Sequence, residues 1–407
     1  MDLREVTFEY VESLKYVTEI KRDIVLPEIQ DILAIIGPRR VGKTFLMLKK
    51  AKKLIDEGKQ AIYVSFDDPA FMNINVRKFG ELVRKEYPDG KVYLFLDEVQ
   101  EWKNWDFNIR WLHDVKDFVI FVSGSSSTLQ SSEIPSRLRG RYISKLILPL
   151  SFKEIVNFEI KTFRERGRAF RVLEDYLKWG GFPEVWLYKS REKVLSILET
   201  AFYRDIVERQ RIKNLEEFKE FFYFVISNYS NRFTYNSLKK VLESYGIKID
   251  TKTVIKYINS MKNAFLIFPI ARFSYSEREK IISPKKIYVV DLSFSLFFEE
   301  KLTLGRKMEN LVFLELFRRY GDVFYYLTKS NKEIDFYIPK KKMLIEVTYE
   351  PEIGEEKKIL EAMKELKIEE SIVITWDYED EKEVSWFGKT GKVKFMPLWK
   401  WLLNKNI

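Results

Sequence analysis

The sequence contains no cysteine, which excludes disulfides, thiolate metal sites and cysteine nucleophiles. It contains one histidine, His113 in WLHDVKDF, so no chemistry that needs two imidazoles is open to it. His113 itself is expected on a helix surface, without a role. No run of eighteen or more uncharged apolar residues occurs, so no membrane-spanning helix and no membrane partner are expected. The opening segment MDLREVTFEYVESLKY carries acids early and lacks a continuous apolar stretch, so it does not read as a signal peptide and a cytoplasmic location is expected. Internal repeats and low-complexity linkers are also lacking, and module boundaries must be placed from changes of pattern.

What is present is a chain of 407 residues, 46% hydrophobic and 15% aromatic. That is too long for one ordinary core and rich enough for two to four well-packed modules. Abundant Lys and Glu beside scarce Gln, His and Cys match the preference of hyperthermophiles for ion-pair surfaces and durable side chains. The net charge of +10 points toward a polyanionic partner, but it is spread along the chain and defines no basic face.

ILAIIGPRRVGKTFLMLKKAKKLI reads as a buried strand, a loop and a helix beginning near Gly42. The loop follows G-x-x-x-x-G-K-T through Gly37, Gly42, Lys43 and Thr44. Glycines let backbone N–H groups approach phosphates without an intervening Cβ, and the following helix adds unpaired donors and the positive end of its dipole. Gly37, Pro38, Arg39, Arg40, Val41, Gly42, Lys43, Thr44 and Phe45 are therefore the expected ATP or ADP cradle. Lys43 would pair with the β- and γ-phosphates and Thr44 would ligate Mg²⁺. About fifty residues later KVYLFLDEVQ reads as a strand buried on both faces. Asp97 at its end would hold Mg²⁺ through water, and Glu98 would act as general base on the attacking water.

A third strand, DFVIFVSGSSS, ends in hydroxyl residues, and Ser123 or Ser125 is placed to sense the γ-phosphate. SRLRGRY then offers Arg137, Arg139 and Arg141. One arginine, with Arg141 as the candidate, would supply transition-state charge in cis or from a neighbouring subunit. The tryptophans of EWKNWDFNIRW are read as packing anchors. GPRRVGKT, LFLDEVQEWKNW, SGSS, LRGRY, LPLSFKEI and YLKWGGFPE, in this order, resemble prokaryotic AAA+ ATPases of the STAND-like type common in archaea. The resemblance implies that Gly181-Phe182-Pro183 is a lid motif with Pro183 packing on the nucleotide. It also implies a switch that rests with ADP and is often oligomeric with ATP. From the residues alone, Gly-Gly-Phe-Pro is a turn between helices.

In the C-terminal half, NSLKKVLESYGIKIDTKTVIKYINSMKN reads as helix, turn at Gly246 and helix from about Asp250. Two strand-like runs, AFLIFPIARF and KKIYVVD, follow in a winged-helix order. Asp250 or Thr251 can cap the second helix. Lys252, Thr253, Lys256, Asn259 and Lys262 on that helix are types that contact phosphates and base edges. From Gly305 a helix and three strands follow. Alternation puts Glu333 and Asp335 on one face of one strand, and Glu346 and Thr348 on one face of the next. With Glu309 from the helix, Asp335 and Glu346 form a candidate second divalent-metal site of hard oxygen ligands. This pattern resembles the PD-(D/E)XK nuclease core. That core expects lysine where this chain has Thr348, with Lys357 or Lys358 able to substitute from the next helix. SIVITWDYEDEKE and GKVKFMPLWKWLL read as two further strands and a closing helix.

The expected architecture is α/β multidomain: a P-loop AAA+ parallel sheet over 1–150, a helical lid over 151–205, a winged helix over 206–300 and a restriction-endonuclease-like α/β domain over 301–407. The expected function is an ATP-binding and hydrolysing molecular switch that engages DNA through its C-terminal half. The alternatives are a signalling ATPase with protein-only partners and an ATP-regulated metal-dependent nuclease. A nucleotide-dependent homo-oligomer is a further expectation.

Overall fold

A computed structural model describes residues 2–124, 138, 140–298, 303–351, 355–386 and 389–404. The chain divides into two compact units. The first comprises Met1–Leu148 with Thr200–Asp205 and Asn263–Phe265, and the second comprises Pro149–Glu199, Ile206–Lys262 and Leu266–Ile407. No helix among the described residues is long and apolar enough to cross a membrane.

The first unit is built on a parallel five-stranded sheet: β1 (Ile32–Ile36), β2 (Ala61–Ser65), β3 (Val92–Asp97), β4 (Phe118–Ser123) and β5 (Tyr142–Leu146), in the order β2-β3-β4-β1-β5. Every residue of β1, β2 and β4 is buried, as the unbroken apolar runs require of central strands covered on both faces. Strand β5 is an exposed edge. The core gathers Ile32, Ala34, Val64, Leu94, Leu96 and Val122 from the sheet with Phe79, Ile109 and Leu112 from its helices. Trp102 is an anchor of this core, stacked on Phe66 with ring centroids 4.3 Å apart and its indole N–H donated to the Ile74 carbonyl. His113 lies inside rather than on the helix surface, at 6% exposure. It sits on the face of the helix Trp105–Asp114 that also buries Ile109 and Leu112, one turn on from Ile109.

In the second unit the helix Phe163–Trp179 opens with a capping box from Thr162 and Glu165 and ends at Gly180. The helices Tyr235–Ser244 and Thr251–Asn263 are joined through Gly246, at φ 82°. A small antiparallel sheet accompanies them, with β6 (Arg232–Phe233), β7 (Ile267–Ala271) and β8 (Lys285–Val289) in the order β6-β8-β7. Asp250 is the residue that caps the second helix, accepting the Thr253 N–H at 2.6 Å, while the Thr251 hydroxyl turns to Asn236. The helix Leu304–Tyr320 leads into a mixed six-stranded sheet. Its strands are β9 (Phe324–Leu327), β10 (Glu333–Ile338), β11 (Met343–Val347), β12 (Glu370–Thr375), β13 (Asp380–Trp386) and β14 (Lys389–Pro397), in the order β13-β14-β12-β11-β10-β9. The run SIVITWDYEDEKE therefore supplies two strands, not one. The second of them, β13, pairs antiparallel with β14 as a hairpin.

The Gly180-Gly181 turn is fixed by a buried carboxylate. Asp291 Oδ2 accepts the Gly181 N–H at 2.7 Å, and burial pushes the Asp291 carboxyl up to about 6 against the bonds from Ser293 and Gly181. Gly180 has φ +65°, and a Cβ there would stand 1.8 Å from Asp291 Oδ1. Gly180→Ala is thus expected to destabilise this unit by about 2 kcal/mol or more, read as a lowered midpoint in urea. An unchanged midpoint would show that the turn relaxes without cost.

Candidate functional site

At the carboxyl end of the parallel sheet the loop after β1 and the end of β3 meet. Gly37 has φ +143°, and a Cβ on it would lie 2.2 Å from the Ile147 carbonyl oxygen. No other residue type permits that approach. Gly42 has φ +91° with open space before it, and the helix Lys43–Asp56 starts directly afterwards, which leaves its first N–H groups without intrahelical partners. Val41 is fully buried, and its carbonyl is held by Arg22, which also reaches the Leu148 carbonyl. Arg40 is exposed in a left-handed conformation at φ 62°, and Phe45 is half-buried.

Lys43 is buried and its Nζ donates to the carbonyls of Gly37 and Pro38 at 3.0 and 2.9 Å. Burial pulls its ammonium below the ordinary lysine value, opposed by the nearby charges of Glu98 and Asp97. Arg39 turns to Asp205, Nε to Oδ1 at 2.8 Å. Asp205 lies in the wide, π-helical segment Ala201–Glu208 and is 2% exposed. Helical segments of this kind recur at functional sites, but no local signal in the sequence links Asp205 to a loop 166 residues earlier.

Asp97 is 1% exposed and gathers the site. Its Oδ2 accepts the hydroxyls of Thr44 and Tyr63, each at 2.7 Å. Its Oδ1 accepts the Ser123 hydroxyl and, at 3.0 Å, the Glu98 N–H. Ser123 is therefore on the carboxylate itself, whereas Ser125, Arg137 and Arg139 lie outside the described residues. Tyr63 was not expected from sequence. Its position two residues before Ser65, which pairs with Asp97, puts it on the same face of the sheet, and its length lets it reach across. Glu98 follows in a left-handed conformation, φ 47°, and Gln100 donates to its Oε2. Burial first, then the charge of Asp97, raises the Glu98 carboxyl above the ordinary glutamate value.

Arg141 is placed elsewhere. Tyr142 is in register with Ile32 at the start of β1, so Arg141 stands at the edge of the sheet opposite the Gly37 loop, 3.3 Å from Asp114. Within one chain it does not belong to this site. Pro183 opens the short helix Pro183–Tyr188 of the second unit.

The C-terminal carboxylates also come together, but on a lysine. Lys286 Nζ lies 2.7 Å from Glu309, 2.6 Å from Glu333 and 2.9 Å from Asp335. Glu346 accepts the Asp335 N–H at 3.3 Å and pairs with Lys358 at 2.6 Å. Thr348 instead donates to the Glu350 carbonyl, and Lys357 is exposed. Among the described residues no group of three or more acids or histidines is disposed to hold a metal ion.

A glycine-constrained loop after β1, a lysine and a threonine at a helix start, and an acid pair ending β3, one strand removed from β1, define a P-loop nucleotide-binding site, and residues 29–156 match the AAA domain family. The N-terminal part is thus an AAA-type P-loop ATPase domain. The chain belongs to the family of the uncharacterized protein MJ1544 of Methanocaldococcus jannaschii, with 35% identity over 98% of this chain and 95% of that protein. An uncharacterized protein of Haemophilus influenzae is 27% identical over 87% of this chain and 91% of its own length. Residues 171–298 and 304–400 each match a domain of unknown function, DUF8612 and DUF4143. Among solved structures, a Walker-type ATPase of Pyrococcus abyssi aligns over 74% of this chain and 96% of that one, at 13% identity and a TM-score of 0.41.

Lys43→Ala is expected to abolish nucleotide binding, measured with a fluorescent ATP analogue. Glu98→Gln should still bind ATP but turn over about 10²- to 10⁴-fold more slowly, and normal turnover would remove Glu98 as the base. Because a base works only when deprotonated, a raised Glu98 carboxyl places the acid limb of the kcat/KM–pH profile above the ordinary glutamate range, with activity lost as pH falls through it.

Proposed function

We propose that this chain is an ATP-binding and ATP-hydrolysing switch that works with Mg²⁺ and engages DNA through its C-terminal half. The observation that carries the nucleotide part is the meeting of Lys43, Thr44, Asp97 and Glu98 at one loop. The donor chemistry suits Mg²⁺. A carboxylate and a hydroxyl, Asp97 and Thr44, stand side by side, and these are hard oxygen ligands of the kind this ion shares with substrate phosphates. When bound, the ion would neutralise charge on the phosphates. In this reading the backbone N–H groups from Gly37 to Thr44 receive the phosphates. Lys43 exchanges the Gly37 and Pro38 carbonyls for phosphate oxygens. Glu98 orients the attacking water and accepts its proton. The Asp97 hydrogen bond to the Glu98 N–H keeps the two carboxylates in fixed relation. Arg141, at the far edge of the sheet, could contribute only from a second subunit, which ties its role to nucleotide-dependent assembly.

The DNA part rests on the helix Thr251–Asn263. Val254, Tyr257, Ile258 and Met261 bury one face, while Lys252, Lys256, Asn259 and Lys262 are exposed on the other. Read as the second helix of a winged helix, that face offers ammonium groups to phosphates and an amide to a base edge.

A gel shift with duplex DNA tests this reading. Binding is expected at about 50 mM salt and should weaken steeply by about 200 mM. Lys252→Ala with Lys262→Ala should weaken binding across all sequences and lower the salt slope by about two. No binding at low salt, with or without ATP, would leave the ATPase with protein partners alone.

A further inference from the structure

Lys286 belongs to β8, between Arg232 on β6 and Ile270 on β7 in register, and is 2% exposed. An ammonium has three N–H donors, and each of its three carboxylate neighbours lies at 2.6 to 2.9 Å. Those are the lengths of charge-assisted hydrogen bonds, so the ammonium stands at the centre where a divalent ion would have to sit. The surroundings complete the same pattern. Tyr288, two residues along β8, donates to Glu309 at 2.6 Å, and Arg232 lies 2.9 Å from Glu333. The Val347 N–H donates to Asp335 at 3.0 Å, and Lys358 pairs with Glu346. The oxygens a divalent ion would need are turned toward N–H and O–H donors. The nuclease-like metal reading of Glu309, Asp335 and Glu346 therefore does not fit the residues present.

We propose that the Lys286 ammonium is a built-in cation that closes this carboxylate cluster against divalent metal and clasps β8 to the helix Leu304–Tyr320 and to β10. The cluster is a latent cation site, held shut by a tethered charge. While Lys286 is seated, the domain hydrolyses no phosphodiester by metal-assisted chemistry.

The test is Mn²⁺ binding by the full chain without nucleotide, followed by electron paramagnetic resonance, with thermal melting in parallel. The wild-type protein should show no Mn²⁺ binding that Asp335→Asn removes. Lys286→Met should acquire one Mn²⁺ site, and Asp335→Asn in that background should abolish it. If Lys286→Met folds poorly, millimolar Mn²⁺ should restore its melting transition. Wild-type Mn²⁺ binding that depends on Asp335 would overturn the proposal. So would a Lys286→Met protein that folds but binds no ion, or one that stays unfolded whatever the ion concentration.

Discussion

The nucleotide site depends on one carboxylate held inside the protein. Asp97 is nearly inaccessible, and an ionised carboxylate in such a place is costly unless its lone pairs are occupied. Three hydroxyls and one amide occupy them: Thr44, Tyr63, Ser123 and the Glu98 N–H. Each donor comes from a different part of the sheet end, so the bonds that solvate Asp97 also fix the loop after β1, the ends of β2 and β4, and the backbone that carries Glu98. Among the described residues none of these donors is a cation. The Asp97 oxygens are thus met by dipoles rather than by a cation, the disposition on which the proposed Mg²⁺ site rests.

The loop shows the complementary choice. Its lysine is buried and would be an equally costly charge, and it is quenched by the loop's own carbonyls at Gly37 and Pro38. Neutral dipoles are weak competitors for an ammonium compared with a phosphate, so these bonds hold Lys43 in place without locking it there. Arg39 is treated differently. Its charge meets buried Asp205, a contact that ties the loop to that residue while the guanidinium stays close enough to Glu98 to act on its carboxyl. Breaking a pair of this kind leaves the buried Asp205 charge stranded.

Much of the first unit was legible because its chemistry is written in consecutive residues. Gly37, Gly42, Lys43 and Thr44 lie within one turn and one helix start, and Asp97 and Glu98 are adjacent, so strand and loop patterns place them. The end of the third strand pointed to Ser123 or Ser125 without deciding between them, and only Ser123 lies among the described residues. What could not be read were contacts set by long-range packing. Asp205 is distant in sequence, Tyr63 needed the β2–β3 register, and Arg141 required knowing that its strand runs parallel from the opposite edge. His113 was misplaced because a helix pattern of mixed polarity does not say which side a lone imidazole takes. In the second unit the alternation that puts Glu333 and Asp335 on one face was readable. The cation that meets them was not, because Lys286 comes from another sheet.

The two carboxylate centres show why acidic residues in a suggestive pattern do not by themselves define a metal site. At Asp97 every hydrogen-bond donor is a neutral dipole, and the charged groups nearby, Glu98 and Lys43, make no ion pair with it among the described residues. At Asp335 the neighbours include Lys286, and Glu346 beside it holds Lys358. A divalent ion would have to displace a tethered ammonium whose effective concentration is set by the fold rather than by solution. The sequence supplies acids in both places; only the positions of the lysines distinguish a centre bonded by dipoles from one already occupied by cations. In this chain Lys43 is held on carbonyls, clear of the acid it neighbours, whereas Lys286 is driven into its acids. That difference is the ground on which we propose metal-dependent chemistry for the nucleotide site and none for the C-terminal cluster.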